Sequence, residues 1–174
     1  MALTLVRHTQ PDVAAGVCYG QTDLALAPSF VSEREKVVQT LHETGKSYGV
    51  IYASPLTRCR LLASHLEEML GAPLVLDNRL VEMNFGRWET RFWSEIPRAE
   101  IDQWSDDFLD ARPHGGECVR AFSARTLEAL DEIEAHAPNA VVVTHAGVIR
   151  AALARRDGTG GWRADINFGD VVQL

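Results

Sequence analysis

Two short runs rich in leucine and β-branched residues each end on a histidine. They are Leu3-Thr4-Leu5-Val6-Arg7-His8 near the start of the chain and Ala140-Val141-Val142-Val143-Thr144-His145 near its end. Runs of this length and composition read as buried strands. As parallel strands of one sheet, they project both imidazoles from its carboxyl edge, where open α/β sheets hold their ligands. Burying both runs in one sheet therefore builds one site from opposite ends of the chain.

A length of 174 residues fits one domain, 1–174, with a core that needs neither disulfides nor metals. The hydrophobic fraction of 46% and charged fraction of 24% are those of an ordinary soluble protein, so disorder is not expected. A net charge of −7 argues against nucleic acid or an anionic membrane surface as partner. It leaves room for a small anionic substrate, because a pair of arginines can dominate the field inside a cleft. Cys18, Cys59 and Cys118 are an odd, widely spaced set without a C-x-x-C pair, and are expected as reduced, incidental thiols. No basic stretch leads into a long apolar segment, so a cytoplasmic protein without a membrane span is expected.

Apolar runs alternate with helical patterns, the signature of an α/β domain with a largely parallel sheet. Strands are expected at 2–7, 49–53, 74–76, 140–144 and 168–174. Helices are expected at 30–44, 56–70, 117–136 and 148–155, with Gly45 and Gly71 as stops. Ser54-Pro55 suggests an N-cap followed by a first-turn proline. Residues 83–114, carrying Trp88, Trp93 and Trp104 at irregular spacing, read as a lid-like excursion over the sheet edge. Its tryptophans are expected mainly in packing, with one or two walling a pocket.

Five polar groups then fall at strand ends: Arg7 and His8 after the first strand, Arg58 in the first turn of the following helix, Glu82 beyond the third strand, and His145 after the fourth. Two guanidinium groups and two imidazoles suit a tetrahedral phosphoryl group, whose oxygens accept from fork-shaped donors. A helix N-terminus at this edge adds amide donors. A divalent cation would be repelled by Arg7 and Arg58, so neither metal nor other cofactor is implied. Neutral His8 can attack phosphorus if a backbone carbonyl holds its other ring nitrogen, and neighbouring arginines favour the neutral form. Glu82 is the acid placed to protonate the leaving alkoxide. His42, His65 and His136 fall on helical faces away from partners, whereas His114 precedes a helix and could face the site or solvent.

Leu5-Val6-Arg7-His8-Thr9, Ser54-Pro55-Leu56-Thr57-Arg58, Leu80-Val81-Glu82-Met83-Asn84-Phe85-Gly86-Arg87-Trp88-Glu89, Gly115-Gly116-Glu117-Cys118 and Val143-Thr144-His145-Ala146-Gly147 occur in this order. Together they resemble the signature segments of the histidine phosphatase superfamily. That resemblance implies a phosphoglycerate-mutase-like fold: an α/β three-layer sandwich with a mostly parallel central sheet flanked by helices. It makes His8 the phosphohistidine nucleophile, Arg7, Arg58 and His145 the phosphate pocket, and Glu82 the proton donor. Thr9 stands where the family commonly has glycine. Ala14 stands where it commonly has a phosphate-binding asparagine, a contact that Gln21 or Thr22 could replace.

Cys18-Tyr19-Gly20-Gln21-Thr22-Asp23 and Phe85-Gly86-Arg87-Trp88-Glu89 look most like the α-ribazole phosphatase branch. The activity implied is metal-independent hydrolysis of a small phosphorylated metabolite, with α-ribazole 5′-phosphate of cobalamin assembly as the candidate. A phosphoglycerate-type mutase would use the same five residues while keeping water away. A phospho-ligand binder without catalysis would be expected to lack one of them.

Overall fold

The computed structural model describes residues 3–174. Its sheet contains β1 (Thr4–Arg7), β2 (Val50–Ala53), β3 (Leu74–Leu76), β4 (Ala140–Thr144) and β5 (Val171–Gln173), in the spatial order β3-β2-β4-β1-β5. β1 to β4 run parallel, and β5 alone is antiparallel, paired with β1. Val6 lies opposite Val143, and Arg7 opposite Thr144. The two terminal runs are therefore adjacent at the sheet's middle, as their composition suggests.

The helices are α1 (Phe30–Glu43), α2 (Thr57–Leu70), α3 (Arg98–Asp106), α4 (Val119–His136) and α5 (Ala146–Asp157). Successive strand side chains point to opposite faces, and this sorts the interior into two cores. Val6, Ile51, Ala53, Val141 and Val143 pack with α1 and α2 on one face. Leu5, Ala140 and Val142 pack with α4 and α5 on the other. Every residue of β4 is buried, the property of a parallel strand covered on both sides. The result is the expected three-layer sandwich.

Several boundaries differ from the sequence pattern. α2 starts at Thr57 rather than at Leu56, and Ser54 does not cap it. The cap comes from a distant loop: Asp23 accepts from the Thr57 amide and the Thr57 hydroxyl, each at 2.8 Å. Ser54 is instead drawn to His145, at 2.8 Å. Gly71 closes the helix at φ 64°, donating to the Glu67 carbonyl. α5 takes Ala146 and Gly147 into its first turn directly after β4, earlier than 148. β5 is shorter than 168–174, because Asn167–Asp170 forms a turn with Gly169 at φ 75°.

The excursion at 83–114 contains α3 and two short 3₁₀ turns, Gly86–Trp88 and Trp93–Glu95. It has a small core of its own, where fully buried Trp88 packs with Cys18 and Ile96. Trp88 also donates from its indole to Glu100 at 2.7 Å. Cys18, Cys59 and Cys118 are free thiols.

Leu62 is wholly buried in the α1–α2 core. Leu62→Ala should therefore lower unfolding stability by about 2–5 kcal/mol, read from urea denaturation, with the span set by how far the cavity collapses. A loss under about 1 kcal/mol would contradict this packing.

Candidate active site

His8 leaves the end of β1 with its amide bonded to the Thr144 carbonyl at 2.9 Å. Its ring is almost wholly buried, and Nδ1 lies 2.7 Å from the Thr9 carbonyl. A carbonyl only accepts, so Nδ1 carries the proton and Nε2 keeps the lone pair. Burial is the largest cause holding the ring well below the usual histidine pKa. The Arg58 charge adds to this, Thr9 opposes it, and Arg7 contributes less. The arginines thus favour the neutral form as expected, but desolvation does more.

The five strand-end residues do gather here, though not all on the open surface. Arg7, His8 and Glu82 line a cavity of about 290 Å³. Arg58 and His145 are fully buried and lie outside its lining. Arg58 donates through Nη1 to the Thr22 carbonyl (2.8 Å) and through Nη2 to the Gly20 carbonyl (2.6 Å). Arg7 donates through Nη1 to the Ile166 carbonyl. Both Nε atoms remain buried without an acceptor, donors that an anion's oxygens would satisfy. The His145 ring meets His8 edge-on, with centroids 5.2 Å apart. Its Nε2 lies 2.8 Å from the Ser54 hydroxyl and 3.5 Å from Cys59 Sγ. Burial, then the neighbouring His8 and Arg58, hold its pKa well below the usual value.

Glu82 is positioned by backbone. Its oxygens accept from the Met83 amide and from the Gly147 amide in the first turn of α5, both at 3.0 Å. Glycine is required at 147 for this approach, since a Cβ there would sit 2.1 Å from Glu82 Oε1. Arg125 of α4 secures the segment from behind. It bonds the carbonyls of Arg79, Val81 and Glu82 at 2.8–3.0 Å and pairs with both Glu117 oxygens.

Gln21 and Thr22, the residues expected at the substrate, do not line the cavity and are bonded within the protein. Gln21 donates from its side chain to the Glu82 carbonyl, and the Thr22 hydroxyl bonds Glu89. Glu89 also takes the amides of Gln21, Thr22 and Phe85, so it ties the 19–22 loop to the excursion. His114 packs against Trp88 at 4.9 Å and accepts from the Gly116 amide, away from the cavity. His65 and His136 do have neighbours: Glu35 at 3.1 Å and the Glu132 carbonyl at 2.7 Å.

The cavity's other walls are largely aromatic, with Phe85, Trp93, Trp104, Phe108, Phe122 and Trp162. Tyr19 and Arg150 also line it, and Arg150 is anchored through Nε on the Ala164 carbonyl at 3.0 Å. Its spacing of three residues from Gly147 on α5 is the sequence signal for a shared face. The sequence pattern assigns no role to Arg125 or to Glu89, because most of their partners lie 43 to 68 residues away in the chain. Among the described residues no cluster of three or more His, Cys, Asp and Glu side chains could hold a metal ion. Nor is any described helix long and apolar enough to cross a membrane.

A mostly parallel α/β sheet with two imidazoles, two guanidinium groups and a carboxylate gathered at its carboxyl edge defines a class of α/β proteins with a cationic site suited to an anion. Residues 3–168 match the profile of the histidine phosphatase superfamily (branch 1), and the chain belongs to that family. The chain is 30% identical over 163 residues to the adenosylcobalamin/alpha-ribazole phosphatase of Escherichia coli K12, covering 89% of this chain and 78% of that protein. It is 30% identical over 168 residues to the glucosyl-3-phosphoglycerate phosphatase of Mycobacterium tuberculosis H37Rv, covering 87% and 73%. The structure of a mycobacterial glucosyl-3-phosphoglycerate phosphatase complexed with VO3 superposes with a TM-score of 0.83 at 26% identity, covering 99% of this chain and 92% of that one.

Gly147→Ala tests the Glu82 placement. Alanine gains up to about 1 kcal/mol of helix propensity, which offsets a tight 3.1 Å contact with the buried Phe122 ring, while the severe contact is with the end of the Glu82 side chain. Unfolding stability should therefore change little, while kcat for phosphomonoester hydrolysis falls about tenfold or more; unchanged kcat would contradict the placement. A second expectation concerns pH. His8 and His145 titrate near 6.5 when unfolded and well below it when folded, so the unfolded chain binds the extra protons. Stability should be full above pH 6.5 and fall below it, by up to about 1.4 kcal/mol per pH unit for each histidine. Urea midpoints at pH 7.5, 6.5 and 5.5 measure this, and a flat profile would refute it.

Proposed function

We propose that the protein is a metal-independent phosphomonoester hydrolase that works through a phosphohistidine on His8. The observation that carries this reading is the 2.7 Å contact from His8 Nδ1 to the Thr9 carbonyl on a ring buried beside two arginines. It leaves a neutral imidazole with Nε2 as the lone-pair nitrogen, beside the cavity that Glu82 also lines. Nε2 attacks phosphorus, the bond from phosphorus to the ester oxygen breaks, and protonated Glu82 delivers its proton to that oxygen. Water then attacks phosphorus and passes a proton to the Glu82 carboxylate, while the phosphorus–nitrogen bond breaks and returns its electron pair to Nε2, which frees phosphate and restores neutral His8. The Arg7 and Arg58 charges offset the charge on the transferring oxygens and neutral His145 offers them a ring N–H, the kind of stabilisation that usually dominates phosphoryl transfer.

The alcohol half of the substrate meets aromatic walls, and a cavity of about 290 Å³ is larger than a bare phosphoryl group requires. A planar, partly apolar alcohol suits this lining, because each ring-to-ring contact contributes about 0.5–1.5 kcal/mol beyond area burial. The substrate candidate is α-ribazole 5′-phosphate, supported also by the relative of that name at 30% identity.

One assay tests the whole reading: phosphate release from α-ribazole 5′-phosphate, phosphoserine and 3-phosphoglycerate, by the parent and His8→Ala, with and without a chelator. The parent should hydrolyse with the chelator present, favour α-ribazole 5′-phosphate by more than tenfold in kcat/KM, and lose turnover with His8→Ala. Isomerisation of 3-phosphoglycerate without release, or near-full activity in His8→Ala, would overturn the mechanism. Rates within tenfold across the panel would overturn the substrate.

A further inference from the structure

Phe168 lies in the turn before β5, at a position that none of the strand-end motifs includes. Its ring centroid is 3.9 Å from Arg7 Cζ and 5.6 Å from the His8 ring centroid. Phe168 is 37% exposed while His8 is 1% exposed, so Phe168 stands between the buried pair and solvent. Phe168 does not line the cavity, and its contacts at the site are with Arg7 and His8.

We propose that Phe168 is a positioning residue for phosphoryl transfer, clamping the Arg7 guanidinium and shielding His8 from water. The proposal rests on His8 being the attacking group. The Arg7 guanidinium is confined between the ring and the Ile166 carbonyl that takes Nη1, which leaves its buried Nε as an unpartnered donor. A guanidinium over an aromatic face is attracted by the ring's quadrupole, and more so where water is excluded. The turn that carries the ring is itself bound to the dyad. Arg7 N–H donates to the Asp170 carbonyl at 3.0 Å, and Gly169 N–H lies 3.2 Å from the carbonyls of both Arg7 and His8. The turn that carries the ring therefore cannot lift away from Arg7 and His8 without breaking main-chain bonds to both residues.

The consequence for His8 follows from what surrounds it. Arg7 comes from β1, Arg58 from α2, His145 from the start of α5, and Tyr19 and Glu82 from loops at the shared cavity. Removing the Phe168 ring leaves all of these in place and admits water to one side of the imidazole. Burial is the largest cause of the lowered His8 pKa, so hydration should raise it back toward 6.5.

The test compares Phe168→Ala, Phe168→Leu and Phe168→Tyr with the parent in two readouts: His8 titration by NMR on histidine-labelled protein, and the pH profile of phosphate release. In Phe168→Ala the His8 titration and the acid limb should move up by about one pH unit, with kcat down about tenfold and KM within about threefold. Leucine should restore the titration, because it restores burial, but not kcat, because it lacks the ring. Tyrosine should restore both. Parental titration and kcat in Phe168→Ala would overturn the proposal, as would leucine matching tyrosine in kcat. Should alanine prevent folding, the leucine–tyrosine comparison decides between the same outcomes. The predicted shift in His8 titration, in a protein that releases no phosphate from any ester, would support the shielding while overturning the hydrolytic reading.

Discussion

Val6 faces Val143 and Arg7 faces Thr144 in the parallel ladder of β1 and β4, and one step further the His8 amide donates to the Thr144 carbonyl. That ladder joins the ends of the chain and makes one site of His8 and His145, whose rings meet at 5.2 Å. Parallel strands cannot be joined by a tight turn, so the chain between them has room for every other part of the site. The Arg58 helix, the Glu82 loop and the aromatic excursion all lie between β1 and β4. The turn before β5 then returns to cover the dyad, with its ring on Arg7 and its main chain on both dyad carbonyls.

Burying cations beside imidazoles is costly unless their donors are used. The chain meets that cost largely with main-chain carbonyls. Arg58 takes two, Arg125 takes three and Arg7 takes one. Each of these bonds also holds a loop in place, so the same contacts that make the charges tolerable shape the cavity. What is left over is informative: the unpartnered Nε atoms of Arg7 and Arg58 near a neutral His8. A site of positive character thus forms inside a chain of net charge −7.

The fold and the strand-end placement of Arg7, His8 and His145 were legible in the sequence because they depend on short-range regularities. Val141-Val142-Val143 is apolar whichever way it faces, so it reads as a strand covered on both sides. Arg7-His8 and His145 follow such runs directly, and strand ends have a predictable place in an α/β sheet. Supporting groups were less legible because their partners are distant in the chain. Ser54 looks like a local N-cap, yet Asp23 caps that helix and Ser54 bonds His145. Gln21 and Thr22 look free for substrate, yet Glu82 and Glu89 occupy them.

The sequence by itself determined the sheet-forming runs, their alternation with helices, and the residue types delivered to the carboxyl edge. Hydrophobic periodicity and strand-end position are properties of neighbouring residues, so these needed no knowledge of the whole molecule. Tertiary structure alone decided which of those residues line the cavity, which lie buried behind it, and that desolvation outweighs the arginines in keeping His8 neutral. It alone brought Phe168 onto Arg7 and Gly147 against Glu82. Each of those depends on contacts between segments far apart in the chain, which exist only once the sheet has closed around β1 and β4.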